Sequence, residues 1–134
     1  MAQLVLTDAS ITINSVDLSD RANSVELMYE IDSVEVTAFG SGGHTFAGGL
    51  QNLSCTVEFM QDFATSEVED TIYALVGTNT SVVIQPTSGA VSATNPSYAF
   101  TGFLASHTPV AGAVGELAMT SLTFTGGTLV KTTS

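Results

Sequence analysis

The stretch SVELMYEID at residues 24–32 decides the fold class of this 134-residue chain. Apolar side chains occupy every second position there, which places four of them on one face: Val25, Leu27, Tyr29 and Ile31. Successive side chains of a β-strand point to opposite faces, so this period of two predicts a half-buried strand.

The same alternation returns at residues 50–63, where the inward positions are Leu53, Cys55, Val57 and Phe59. Residues 37–49 lie between the two strands and contain five glycines, so we expect no regular structure in them. The two segments therefore predict an antiparallel pair joined by a long glycine-rich hairpin loop. Irregular loops of this length are uncommon inside compact domains, which indicates a loop that is either functional or mobile.

The rest of the chain continues the strand pattern around a single helix. Residues 66–76 predict that helix, because Ser66 and Glu69 have capping-box spacing and Gly77 follows as a stop signal. A turn is expected at residues 14–17, and further short strands at residues 4–6, 11–13, 81–85, 98–107, 116–125 and 128–131. The sequence thus predicts a mainly β fold, a β-sandwich or partly rolled barrel of about seven or eight strands with one short α-helix, in a single domain spanning residues 1–134.

Acidic residues dominate the charge of this chain. Thirteen Asp and Glu stand against two Lys and Arg, which gives a formal net charge of -11 and a pI near 4.1. Binding to nucleic acid or to an anionic membrane needs a basic surface, so both partner classes are excluded. Only 11% of the residues are charged. A surface so poor in charge is easily buried against a partner, which favours oligomerisation.

Residues able to carry catalysis, a metal or a cofactor are sparse. Cys55, the only cysteine, lies on the apolar face of its strand, which predicts a buried and inert thiol. His44 and His107 have no metal-ligating neighbour at helical spacing, and the glycine cluster at residues 40–43 lacks the lysine of a phosphate-binding loop. The sequence therefore predicts a protein that is not an enzyme and that has no metal and no cofactor.

One set of carboxylates shares a strand face. Strand parity places four of them opposite the apolar positions, namely Glu26, Glu30, Asp32 and Glu58, and Asp62 joins them if the alternation persists. The arrangement is typical of the solvent side of a half-buried sheet. It equally suits a channel wall that lets DNA pass without binding it, because wall carboxylates repel phosphates. Charge alone leaves both interpretations open.

The order of these segments resembles the major tail tube proteins of long-tailed, siphovirus-like bacteriophages. The resemblance covers most of the chain, including the strand at residues 24–32 and the short helix. Its motifs are ITIN at 11–14, VDLS at 16–19, VEVT at 34–37, AGGL at 47–50, VEFMQDF at 57–63 and LVGT at 75–78. We expect no surface domain appended to this core.

The resemblance implies a structural virion protein that forms stacked rings, usually hexameric, around an acidic channel through which DNA is ejected. Four residues become candidates for the channel lining: Glu26, Glu30, Asp32 and Glu58. Six residues of the glycine-rich loop become candidates for the contact between rings: Phe39, Gly40, Gly42, Gly43, His44 and Phe46. The implied partners are further copies of the chain and other tail proteins such as the tape measure and the terminator. DNA passes without specific binding, no membrane takes part, and the protein is made in the host cytoplasm for the virion tail.

Two other classes of function stay open at the level of sequence. A virion decoration or head-tail joining protein would share the acidity and the β fold without forming tubes on its own. A ligand-binding β-sandwich would be a soluble monomer, although the absence of tryptophan counts against a carbohydrate platform.

Overall fold

The computed structural model describes residues 4–133, and its longest elements are the two strands expected from sequence. Strand β3 spans Ala22–Glu35 and strand β4 spans Phe46–Met60. They pair in antiparallel register, with Val25 opposite Val57. The predicted hairpin is confirmed, and its strands are longer than the sequence pattern indicated.

A single antiparallel sheet contains all the strands that the structure describes. The other strands are β1 (Ser10–Ile13), β2 (Val16–Asp17), β5 (Asn79–Gln85), β6 (Ser97–Leu104), β7 (Met119–Thr125) and β8 (Val130–Thr132). Their order is β2-β1-β5-β6-β7-β4-β3, and β8 pairs with β6 beside this path. The predicted mainly β fold with eight strands and one short helix is confirmed.

The sheet curls so that one face encloses the hydrophobic core, and it is not closed into a barrel. Leu27 of β3 and Ile84 of β5 line the same cleft of about 380 Å³, although their strands are far apart in the sheet order. The core is filled from most strands and from the helix, with its largest fully buried side chains at Phe59, Phe124, Ile11, Ile13, Leu18, Ile72, Leu104 and Leu122. All four inward residues expected on β4 are buried.

Two turns differ from the sequence prediction. The expected turn at residues 14–17 is tighter, because Asn14 and Ser15 adopt positive φ angles of 52° and 67° and the chain re-enters the sheet as β2. Such paired left-handed residues are typical of two-residue hairpins. The glycine loop is also shorter than expected: residues 46–49 belong to β4, and the register shifts opposite them, between Ile31 and Ser33. A side chain at Gly49 would come within 3.2 Å of the Asp32 side chain, so glycine here permits close strand approach.

The helix is shorter than expected and begins differently. Helix α1 spans Val68–Ile72 and continues as a 3-10 turn over Tyr73–Leu75. The predicted capping box is wrong: Ser66 has a φ of 64°, and its backbone amide donates to the Asp70 carboxylate at 2.8 Å. The strand boundaries also shift, because residues 4–6 are not in a strand, β6 ends at Leu104 and β7 begins at Met119.

Candidate assembly surfaces

The outward face of β3 and β4 carries the acidic residues singled out in the sequence. Residues opposite one another in an antiparallel pair lie on the same face. Glu26 lies opposite Thr56, Glu58 lies opposite Ser24, and Glu30 lies opposite Asn52. Glu26 and Glu58 are therefore diagonal neighbours on the face that points away from the core.

Asp32 joins the same face despite the register shift beside it. The side-chain amide of Asn52 donates to the Asp32 carboxylate, and Asn52 itself lies opposite Glu30. The structure thus brings together the four carboxylates proposed for the channel lining, a face that we call the acidic face (Glu26, Glu30, Asp32 and Glu58).

Hydroxyl side chains extend the acidic face across β7. Glu58 lies opposite Ser121, and the Thr56 and Thr123 hydroxyl oxygens are 3.3 Å apart. The sequences of β3, β4 and β7 contain no lysine or arginine. Their carboxylates are therefore not neutralised within this part of the sheet, and the face presents negative charge on a neutral, polar background.

One of the two basic residues is engaged elsewhere. Arg21 precedes β3, and its Nε donates to the Asp62 carboxylate at 2.7 Å, while Glu67 lies 3.8 Å away. The pKa of Asp62 is lowered by the hydrogen bond from the Ala64 backbone amide and by Arg21. The pKa of Arg21 is raised by its hydrogen bond to Asp62 and by the negative charge of Asp20. Because β4 ends at Met60, the alternation does not continue to Asp62, and the expectation that Asp62 extends the acidic face is wrong. Asp62 belongs to this ion-pair cluster instead.

Beyond the core, β3 and β4 continue as a two-stranded ribbon. We call residues 28–52 the hairpin arm. β7 pairs with β4 only as far as Ser54, and β3 lies at the end of the sheet order, so both edges of the arm lack a neighbouring strand among the described residues. From Tyr29 to Glu35 the arm extends about 20 Å past the core. Isolated two-stranded ribbons are marginally stable in water, so the arm is suited to packing against a partner.

Apolar side chains line the hairpin arm without being buried. Phe39 at the tip is fully exposed, and Phe46 is 58% exposed. The other exposed apolar residues of the arm are Met28, Tyr29, Ile31, Val34, Val36 and Leu50. Large exposed apolar side chains concentrated on one projecting segment indicate an interaction site.

Hydrogen bonds order the tip of the hairpin arm. The backbone amide of Val36 donates to the Thr45 carbonyl at 2.8 Å, and the Thr45 amide donates to the Thr37 hydroxyl at 2.9 Å. His44 Nδ1 donates to the Glu35 carboxylate at 2.6 Å, which together with the Thr37 hydroxyl lowers the pKa of Glu35. The predicted contact residues of the loop are exposed at this tip, except that Phe46 is the first residue of β4.

A second exposed apolar surface, which no sequence pattern predicted, lies at the far end of β4. The connection between β6 and β7 is held there by Gln61, whose side-chain amide donates to the Pro109 carbonyl at 2.7 Å and whose backbone amide donates to the Ala118 carbonyl at 2.9 Å. Its exposed apolar residues are Val110, Val114 and Leu117. We call these three residues the distal patch.

His107 anchors the beginning of that connection. Its Nε2 lies 2.8 Å from the Glu69 carboxylate, and its Nδ1 lies 3.5 Å from the Thr120 hydroxyl. The order Thr-His-Glu resembles a catalytic relay. However, the Thr120 residue is only 2% exposed, so no substrate can reach its hydroxyl from outside. The three residues instead tie α1, β7 and the β6–β7 connection together.

The described part of the chain offers no group of three or more His, Cys, Asp or Glu residues placed to hold a metal ion. Cys55 is buried, and burial raises the pKa of its thiol to about 12, which confirms the expected buried thiol. No helix among residues 4–133 is both long enough and apolar enough to cross a membrane.

Comparison with known proteins identifies the fold. No protein-family model and no curated protein sequence matches the chain. A chain from the virion of a native gene transfer agent particle superposes with a TM-score of 0.74 at 16% identity, covering 93% of this chain and 95% of that one. A chain from the PVC sheath-tube complex of an extracellular contractile injection system, in the extended state, gives a TM-score of 0.72 at 12% identity, covering 98% and 93%.

A third similar structure comes from the tail of an empty gene transfer agent particle, refined with C6 symmetry. Its TM-score is 0.61 at 16% identity, and the match covers 85% of this chain and 83% of that one. At such identities the likeness concerns the fold. The chain therefore has a tail-tube-like fold, found in components of phage-like particles and injection systems.

Proposed function

We propose that this protein is a structural subunit of a phage-like tail tube. Its copies form rings that stack into a hollow tube, with the acidic face towards the channel and the hairpin arm reaching the next ring. The observation that carries the proposal is that β3 and β4 provide both features at once: four unneutralised carboxylates on one face and a projecting apolar ribbon at the end.

Ring formation follows from the open edges of the sheet. Strand β3 contributes 14 residues, and its outer edge has no neighbouring strand within the described chain. A long unpaired edge is a template for pairing with another chain. Pairing between the β3 edge of one copy and the opposite sheet edge of the next extends the sheet around a ring. We propose six copies for each ring, which the C6 symmetry of the similar gene transfer agent tail supports.

The acidic face gives the channel its function. Carboxylates on the wall repel the phosphates of DNA, and the absence of lysine and arginine from β3, β4 and β7 removes the cations that would hold the polyanion. DNA therefore moves through the tube without adhering to it. The same logic assigns no catalytic role to the chain, since a conduit needs only geometry and charge.

The proposed partners are mainly other copies of the chain. The tube also meets a terminator at its end and a tape-measure protein within it, as the resemblance to tail tube proteins implies, and its location is the virion tail. One of the similar structures comes from the sheath-tube complex of a contractile injection system, so the proposed subunit role suits a contractile particle as well as a non-contractile tail.

The test is assembly of the purified protein and of one arm variant. The variant replaces residues 37–44 with an Asn-Gly turn, which suits the hydrogen-bonded pair Val36 and Thr45 that flanks the tip. We expect the parent protein to form stacked rings in negative-stain electron micrographs as concentration rises. The variant should keep its circular dichroism spectrum and melting temperature but lose stacking.

The matched control keeps the arm at full length. Residues 37–44 are replaced by eight Gly and Ser residues, which removes Phe39 and His44 without shortening the ribbon. We expect this control to stack as poorly as the short variant, because the side chains make the contact. Normal tubes from the short variant would contradict the role of the arm, and a parent protein that stays monomeric at every concentration would contradict the proposed function itself.

A further inference from the structure

The hairpin arm and the distal patch lie at opposite ends of one strand. The arm tip joins β3 to the beginning of β4, and Gln61, directly after the end of β4, binds the loop that carries Val110, Val114 and Leu117. The 15 residues of β4 separate the two surfaces by about 45 Å. Neither surface can therefore reach the other within one molecule.

The distal patch is exposed but preformed. Val114 is fully exposed, and Val110 is 80% exposed. The loop that presents them is fixed at both ends by Gln61 and is closed internally by a hydrogen bond from the Glu116 amide to the Ala113 carbonyl at 3.0 Å. A partner binding there meets apolar side chains whose backbone is already ordered, which reduces the entropic cost of association.

Both surfaces lie in stretches of the chain that carry few charged residues. Residues 36–57 contain no Asp, Glu, Lys or Arg, and neither do residues 71–115. Glu116 is the single carboxylate of the distal loop, and Glu35 beside the arm tip is engaged by His44. In a chain with a net charge of -11, the arm tip and the distal patch are places where two copies can approach with little repulsion.

From these observations we infer that the distal patch (Val110, Val114 and Leu117) is the surface that receives the hairpin-arm tip of a second copy of this chain. The inference rests on the proposed tube function and names the receiving surface for the arm. The two surfaces differ and lie at opposite ends, so the contact is head to tail. Contacts of that type propagate without limit when the rotation does not close, which is what stacking of rings requires.

Chemical crosslinking tests this contact. Cys55 is the only cysteine and is buried, so new surface thiols can be addressed selectively. The double variant Phe39→Cys with Val114→Cys is assembled, treated with a flexible bis-maleimide and run on a denaturing gel. We expect a ladder of covalent multimers, because each subunit links its arm to one neighbour and its distal patch to another. An equimolar mixture of the two single variants should stop at dimers.

A matched control moves the second thiol from the distal patch to another element. Tyr73, on the 3-10 turn after α1, is 69% exposed, so Phe39→Cys with Tyr73→Cys offers an equally accessible pair. We expect no ladder from it. In parallel, Val114→Asp should abolish stacking while leaving the subunit folded, and Tyr73→Asp should leave stacking intact.

The outcomes distinguish a failure of the arm–patch contact from a failure of the tube function. A ladder from the arm–patch pair alone supports the inference. Tubes that are visible by electron microscopy but give no ladder from position 39 with position 110 or 114 overturn the inference and leave the tube function standing. Ladders of equal strength from the Tyr73 control overturn it as well. A parent protein that forms no tubes contradicts both.

Discussion

Gly127 allows a sharp test of how the sheet is built. After β7 ends at Thr125, the chain passes through Gly126 and Gly127 and then pairs with β6 as β8. Gly127 has a φ of +88°, and a Cβ atom there would lie 2.2 Å from the Thr101 carbonyl oxygen of β6. Gly126 has nearly the same φ, +86°, yet a Cβ atom there would meet nothing within 4 Å. Substituting Gly126 therefore tests the cost of the backbone conformation alone, and substituting Gly127 tests that cost together with the close approach to Thr101.

The magnitudes follow from these two features. A left-handed conformation costs an L-residue roughly 1–2 kcal/mol, so Gly126→Ala should destabilise the subunit by about that amount. Gly127→Ala carries the same cost. It also forces β6 and the β7–β8 connection apart by about 1 Å, at a further cost of about 1–3 kcal/mol typical of overpacking. Because whole domains have only about 5–15 kcal/mol of stability, a combined loss of about 2–5 kcal/mol is large.

The assay is urea unfolding followed by far-ultraviolet circular dichroism, on protein kept dilute enough to remain unassembled. We expect both variants to keep the denaturant slope of the parent, with the unfolding midpoint of Gly127→Ala clearly below that of Gly126→Ala. Equal midpoints for the two variants would refute the close approach to Thr101. A Gly127→Ala variant as stable as the parent would refute the backbone argument too.

Three further predictions concern the core, the ion-pair cluster and the acidic face. Cys55 should not react with thiol reagents in folded protein at pH 8, because its thiol is buried with a pKa of about 12, and it should react at once in denaturant. The pKa of Asp62 is lower in the folded state than its ordinary 3.8, so its contribution to stability is present above that value and is lost as pH falls through the folded-state pKa. Asp62→Asn should therefore lower the melting temperature at neutral pH and weaken its decline towards acid. On the acidic face, Glu26, Glu30 and Glu58 are replaced together by lysine. The variant should still form tubes, and these tubes should retain duplex DNA that is protected from nuclease. If the retained DNA is not protected, the face lies on the outside of the tube.

Local periodicity accounts for the part of the fold that could be predicted. The alternation in β3 and β4 is a property of neighbouring residues, and it correctly placed Leu53 and Val57 in the core. The grouping of Glu26, Glu30 and Glu58 followed from the same parity, because pairing two adjacent strands leaves only the register to be settled. The acidic face was therefore accessible from sequence, although its role as a channel lining is still a proposal.

Long-range contacts account for what the sequence pattern missed. Ser66 has the chemistry of a helix cap, but it adopts a positive φ and its backbone amide donates to the carboxylate of Asp70, four residues along, so its side chain does not cap the helix. The ion pair of Arg21 with Asp62 joins residues 41 positions apart, beyond any local pattern. The apolar residues of the distal loop have no strand or helix period, so nothing in the sequence marked Val114 as exposed.

Glycine was the least reliable guide to structure. The five glycines of residues 37–49 predicted an irregular segment, yet Gly48 and Gly49 belong to β4. Glycine weakens a strand but also permits close approach where the register shifts. The sequence pattern cannot distinguish those two uses, because the difference depends on the partner strand. The hairpin arm is consequently a longer and more regular ribbon than the loop expected in its place.

A cryo-electron microscopy reconstruction of the assembled protein tests the central claim most directly. The account predicts stacked rings around an open channel, with Glu26, Glu30 and Glu58 facing the channel and each hairpin-arm tip resting on the distal patch of a subunit in the adjacent ring. A tube whose channel is lined by another face, with these carboxylates on its exterior, would contradict the account.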